Sequence, residues 1–171
     1  HGMVPANPQS HSGNLATLVS HELIESGISH ETIEGFALLT NFHTLNLTVA
    51  NVHLAPGKSA SHIRKSQISK IVGASHTEHL AIVGDTNTRS SEIEAIEAAG
   101  LRAPKPPVPT WNSYRNRFHS SSPKFQTNFT RSFTHPDIAT EELQVLEGCV
   151  ARQGKKFFIS DHFALFGYMK L

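Results

Sequence analysis

The stretch that decides the fold runs Leu45-Asn-Leu-Thr-Val-Ala-Asn-Val-His-Leu54. Leu45, Leu47, Val49 and Asn51 alternate with Asn46, Thr48, Ala50 and Val52, and the β-branched content predicts a strand buried on both faces. Upstream, Phe36 to Asn41 predicts a partner strand, joined by Asn41-Phe-His-Thr44 into a hairpin. Downstream, Ser59 to Val72 predicts a helix. Ser59 or Ser61 can cap it, and Ile63, Ile68, Ile71 and Val72 make its apolar stripe. Leu80 to Val83 is a compact strand ending at Gly84. Ser90 or Ser91 then opens a second helix with Glu92 and Glu94 in its first turn and Gly100 at its end. Strand, helix, strand, helix in this order means α/β. Leu15 to Val19, Leu143 to Val150 and Phe163 to Met169 are further strand candidates. Residues 103–135, rich in proline and aromatic residues, read as a long loop region of the kind that carries function.

The 171-residue chain is 38% hydrophobic, which suits one domain with a sizeable core. Residues 1–12 read as a flexible leader and 13–171 as the folded domain. A 17% charged content excludes a wholly disordered chain. No apolar run approaches the ~20 residues of a membrane helix, so no membrane partner is expected. A single cysteine, Cys149, excludes a disulfide framework and a cysteine-rich zinc site. It points to an intracellular protein, nuclear or cytoplasmic. A net charge of +1 gives no general attraction to polyanions, so nucleic-acid binding has to be local.

The aspartates are few, so their contexts can be read one at a time. Gly84-Asp-Thr-Asn-Thr-Arg89 follows the Leu80 strand directly. Residues two apart in extended chain point the same way, so Asp85 and Asn87 face one site. Ser160-Asp-His162 precedes the last strand. There Asp161 offers a hard oxygen ligand suited to Mg²⁺, and His162 a group that moves protons near neutrality. His53 ends the long alternating strand. Each motif alone has a bland reading: a polar turn, a capping Asp beside a surface His, a structural histidine.

In order and spacing the motifs resemble the endonuclease/exonuclease/phosphatase superfamily of Mg²⁺-dependent phosphodiesterases. The resemblance rests on His53-Leu54, Arg64-Lys-Ser-Gln67, Gly84-Asp85-Thr86-Asn87 and Ser160-Asp161-His162, and runs from about Gly13 onward. Gly-Asp-Thr-Asn-x-Arg and Pro109-Thr-Trp-Asn112 look most like the 5′-tyrosyl-DNA phosphodiesterase branch. Thr130-Arg-Ser-Phe-Thr-His-Pro-Asp-Ile138 looks like that branch's Arg-Phe-Asp-Arg-Ile-Phe strand. The resemblance implies a two-sheet α/β sandwich with outer helices, like pancreatic deoxyribonuclease, without its N-terminal strands. It implies a Mg²⁺ or Mn²⁺ cofactor and in-line attack of water on a phosphodiester. Asp161 and Asp85 would serve the metal. Asp85 would deprotonate the water, Asn87 would position the water or a phosphate oxygen, and His53 and His162 would contact the phosphate or leaving oxygen. Trp111 would stack on a base or leaving group, and Arg89, Arg115 and Arg117 would touch phosphates, which makes nucleic acid the expected partner.

Two departures qualify that expectation. The family's opening strands, with their Asn and metal-binding Glu, have no counterpart before Gly13, and Glu22, Glu25, Glu31 and Glu34 lie in other contexts. The chain therefore resembles the later part of a family domain, and open edges would pair with a second copy or a partner chain. The Asp that orients the catalytic His falls on Thr134, with Asp137 as a substitute. On that reading turnover is slow or absent. Two alternatives follow: a catalytically weak or inactive descendant acting as a binding or structural module, and a phosphoinositide or sphingolipid phosphatase.

Overall fold

The computed structural model describes residues 2–5, 15–25, 27–115, 124–153, 155–158 and 160–171. The strands are β1 (Gly2–Pro5), β2 (Ala16–Val19), β3 (Ile28–Ile33), β4 (Ala37–Phe42), β5 (Leu47–His53), β6 (His79–Asp85), β7 (Trp111–Asn112), β8 (Gln126–Thr127), β9 (Thr130–Thr134), β10 (Ala139–Leu146), β11 (Cys149–Arg152), β12 (Lys155–Phe158) and β13 (Ala164–Lys170). The helices are α1 (His21–Glu25), α2 (Ser61–Ala74) and α3 (Ile93–Ala98). None is long and apolar enough to cross a membrane.

The centre is a five-stranded mixed sheet in the order β3-β4-β5-β6-β9. β4 and β5 form the expected hairpin, turned by a 3-10 segment at His43–Leu45. β5 and β6 run parallel with α2 between them, and β9 adds antiparallel to β6. Register lines up Leu39, Ala50, Ile82 and Phe133 across four strands. That row is buried under Ile68 and Ile71 of α2 and Ile96 of α3. At about 1.5–3 kcal/mol for each fully buried Leu, Ile or Phe, this row fixes the strands that carry the site. The other face meets Val19, Ile24 and Ile138. Toward its β9 edge lies a second ladder, β10 paired with β13, with Val83, Ser132, Thr140, Leu165 and Phe166 lining one cavity between the layers.

Several expectations change. Gly2–Pro5, inside the stretch read as a loose leader, pairs with Ala16–Val19. The helix α2 buries Arg64, Ile68 and Ile71, while Ile63 and Val72 are exposed. Its N-cap is Ala60, with no side-chain capping bond, and Arg89 likewise stands before the segment that Ser90 was expected to cap. The Leu143 strand divides into β10 and β11. The loop region of 103–135 holds β7, β8 and β9.

Candidate active site

Sheet register builds the site. His53 pairs with Asp85 in the parallel ladder, and Asp85 pairs with Thr130 in the antiparallel one. These three residues therefore form one row at the carboxyl ends of β5 and β6 and point to the same face. The Asp85 Oδ2 lies 3.6 Å from His53 Nε2 and 3.6 Å from His162 Nε2. One carboxylate oxygen thus faces two imidazoles. The distances exceed a hydrogen bond, as is common at catalytic groups without substrate.

Gly84 lets this happen. At φ +129 it occupies a region closed to side chains, and a Cβ there would lie 2.4 Å from the Val52 carbonyl oxygen. The neighbouring strand passes too close for any other residue. Asn87 also has positive φ, which asparagine tolerates. Its backbone N–H donates to Asp85 Oδ1 at 3.0 Å and its Nδ2 donates to the Leu54 carbonyl at 3.1 Å. Expected to position water or phosphate, it braces Asp85 and the end of β5.

The Arg64-x-x-Gln67 element has a comparable task. Arg64 is fully buried. Its Nε and Nη2 donate to Glu92 at 2.9 and 2.6 Å, and Nη1 donates to the Ala55 and Gly57 carbonyls at 2.8 Å. The Gln67 side chain accepts from the Ala55 N–H at 2.9 Å. The loop after His53 is therefore fastened from α2. Arg89 lies beside this pair, its guanidinium 4.3 Å from the Phe129 ring centroid. Burial, and then repulsion from Arg64, lowers its pKa, while Glu92 and Asp85 oppose the shift. Its Nη1 is buried without a hydrogen-bond partner among the described residues. Burial lowers the pKa of Arg131 too, and its Nε donates to the Asn128 carbonyl at 2.8 Å.

The loop before β13 delivers the remaining groups. The Phe163 N–H donates to the Thr110 carbonyl at 2.8 Å, and the buried Thr110 hydroxyl bonds β9 at Thr130. The Trp111 ring meets the His162 ring edge-on at 4.9 Å, stacks on Phe125 at 5.8 Å and touches Phe129 at 5.5 Å. One face of Trp111 is taken by Phe125, so Trp111 is a wall that holds His162, and the partly exposed Phe125 is the outer aromatic surface. Asp161, half-buried beside His162, accepts from the Ser160 hydroxyl at 3.4 Å.

The His-orienting partner is the main correction. His162 Nδ1 shares a 3.0 Å hydrogen bond with Thr130 Oγ1. Thr134 lies four residues down β9, buried opposite Ala81. Asp137 pairs with His135, 3.3 Å away, at the opposite end of β6. Neither can reach His162. Arg115, expected at a phosphate, is paired with Glu147. Arg117 lies outside the described residues.

By sequence the chain matches no family model and no curated protein. Solved structures do match it. TDP2 from D. rerio, complexed with single strand DNA product, is 19% identical over 85% of this chain and 66% of that one, with a TM-score of 0.63. A mannosyl-6-phosphatase from Bacteroides thetaiotaomicron is 14% identical over 99% of this chain and 77% of that one, at 0.63. An endonuclease/exonuclease/phosphatase family protein from Leptotrichia buccalis is 15% identical over 79% of this chain and 53% of that one, at 0.53. The chain has the endonuclease/exonuclease/phosphatase fold. It spans slightly less than two thirds of the D. rerio TDP2 chain. If the two Phe positions of the Arg-Phe-Asp-Arg-Ile-Phe motif that the sequence resembles are matched to Phe129 and Phe133, its Asp position falls on Thr130, the residue bonded to His162. On that matching a hydroxyl stands where the motif has a carboxylate. A carboxylate only accepts, and so fixes the Nδ1–H tautomer; a hydroxyl donates or accepts and fixes neither.

Proposed function

We propose that the chain carries the site of a slow, divalent-metal-assisted phosphodiesterase acting on single-stranded nucleic acid. The observation that supports this reading most is Asp85 Oδ2 lying 3.6 Å from both His53 and His162. In the proposed reaction water attacks phosphorus in line and the P–O bond opposite breaks. Asp85 takes the water proton, and the adjacent imidazoles donate to a phosphate oxygen and to the leaving oxygen. The partly desolvated Arg89, whose Nη1 has no hydrogen-bond partner among the described residues, faces a charge of opposite sign when a phosphate enters. Asp161 and Asp85 supply the hard oxygen donors that Mg²⁺ or Mn²⁺ prefers, and Mg²⁺ commonly rests on one or two carboxylates plus substrate phosphate. Such an ion, bound there, would neutralise charge growing on the phosphate oxygens.

Phe125 and its aromatic neighbours favour a base or other planar leaving group, a 5′-tyrosyl adduct included, over a sugar phosphate. Thr130 favours low turnover: losing an orienting carboxylate at a catalytic histidine costs about 10⁴ in the best-studied case. The experiment is turnover of bis-p-nitrophenyl phosphate and of a single-stranded oligonucleotide in Mg²⁺ or Mn²⁺. Slow hydrolysis abolished by EDTA, Asp85→Asn and His162→Ala is expected. Binding of the oligonucleotide with no hydrolysis in either metal would favour the non-catalytic reading. Hydrolysis indifferent to both substitutions would overturn the assignment.

A further inference from the structure

A second cluster of ligand-type side chains lies far from this site. His79 opens β6, His135 follows β9, and Asp137 sits in the turn beyond. One ligand atom from each lies within 4.8 Å of the others. We propose that His79, His135 and Asp137 bind a divalent transition-metal ion of the Zn²⁺ class at the end of the central sheet opposite the catalytic row. Separation along β6 from His79 to Asp85 is about 20 Å at ~3.3 Å per residue, so the two sites are independent.

Three observations carry the proposal. First, the chemistry: two imidazoles and a carboxylate suit Zn²⁺, whereas Mg²⁺ prefers oxygen alone. Second, the spacing: bonds of about 2.0–2.1 Å around a tetrahedral ion put ligand atoms roughly 3.3 Å apart. His135 Nδ1 and Asp137 Oδ2 are 3.3 Å apart. The longer separations need a shift of at most about 1.5 Å, which the exposed Asp137 and part-exposed His135 side chains can supply by rotation. Third, the Nδ1 atom of His79 is buried with no hydrogen-bond partner among the described residues, and the buried His135 Nδ1 has the Asp137 carboxylate 3.3 Å away as its ion-pair partner. Buried polar nitrogens ordinarily find a partner, because leaving one without costs about 1–3 kcal/mol.

The backbone holds the ligands ready. The His79 N–H donates to the Asn46 carbonyl at 3.0 Å, His135 to Leu80 at 2.8 Å, and Ile138 to His135 at 3.0 Å. An ion there would tie the start of β6 to the turn after β9 and leave a fourth position for water.

The test titrates Zn²⁺ into the metal-free chain carrying Asp85→Asn, which weakens the catalytic carboxylates as competitors. Binding is read by calorimetry and, with Co²⁺ as probe, by visible absorption. One equivalent is expected, with a rise in melting temperature. Adding His79→Ala or His135→Gln should abolish both signals, and Asp137→Asn should weaken binding at least about ten-fold. The part-exposed His135 keeps the test usable should His79→Ala unfold, which circular dichroism would show. No binding by the parent, or binding unchanged by His135→Gln, would overturn the proposal and leave His135 and Asp137 as a surface ion pair.

Discussion

The two ends of β6 carry similar side chains in opposite conditions. At Asp85 a carboxylate faces two imidazoles, and its other oxygen accepts from Asn87. At His79 two imidazoles face one carboxylate, and the buried His79 Nδ1 has no hydrogen-bond partner among the described residues. The first arrangement is fastened by α2, by the close approach at Gly84 and by the Thr110 segment bonded to β9. The second has only the backbone to hold it, with Asp137 in an exposed turn. Residue type is shared; what differs is how firmly the surroundings fix geometry. Fixed geometry is what transition-state stabilisation requires, whereas a metal can draw loose ligands together.

This contrast can be broken or sharpened by substitution. The largest effect is expected from Arg64→Met. It strips the partner from Glu92, whose side chain is only 13% exposed, and frees the loop after His53. Loss of one member of a buried pair costs about 3–5 kcal/mol. Urea unfolding would measure it, and a change below 1 kcal/mol, roughly the scale of an exposed pair, would show that the buried network does not fasten the site. Gly84→Ala should follow at about 3 kcal/mol, because the methyl meets the Val52 carbonyl and the backbone φ is strained. An unaltered melting temperature would mean that β5 and β6 can separate freely.

Phe125→Ala bears on the substrate. It removes the outer aromatic surface, so oligonucleotide KM should rise by about 1–3 kcal/mol equivalent while bis-p-nitrophenyl phosphate turnover holds. Equal losses on both substrates would make Phe125 a prop for Trp111 instead. The smallest change belongs to the other end. Asp137→Asn should cost the metal-free chain at most about 1 kcal/mol of stability and leave turnover in Mg²⁺ unaltered, since the His135 pair is exposed. A measurable loss of turnover would join two regions that the structure separates.

Much of the site was legible in the sequence. Gly84-Asp85-Thr86-Asn87, His53 and Ser160-Asp161-His162 each adjoin a strand; register aligns His53 with Asp85, and the loop before β13 brings His162 to them. Thr130 was missed because the resemblance to Arg-Phe-Asp-Arg-Ile-Phe was laid four residues too far along β9; matching Phe129 and Phe133 to its two Phe positions places it. Arg64 was legible as part of the Arg64-x-x-Gln67 element, but not its burial, because a charged residue on a helix reads as solvent-facing and its partner Glu92 lies on another element. With Arg64 included, the buried face of α2 repeats at 64, 68 and 71, a regular helical period. The strand Ile28-Ser-His-Glu-Thr-Ile33 carries apolar residues only at its ends, so no alternation announced it; pairing with β4 makes it a strand. The pairing of Arg115 with Glu147 crosses from the aromatic loop to the segment after β10, which no local pattern encodes.

The central claim is that His162 works from the row His53, Asp85, Thr130, and that the Thr130 hydroxyl limits it. The direct test compares bis-p-nitrophenyl phosphate turnover by the parent chain, Thr130→Asp, and Thr130→Asp combined with His162→Ala, all in Mg²⁺. A carboxylate at 130 fixes the His162 tautomer, so kcat should rise by about ten-fold or more, with the gain erased when His162 is removed. A Thr130→Asp chain that folds as the parent does but turns over no faster, or that keeps its gain without His162, would contradict the account.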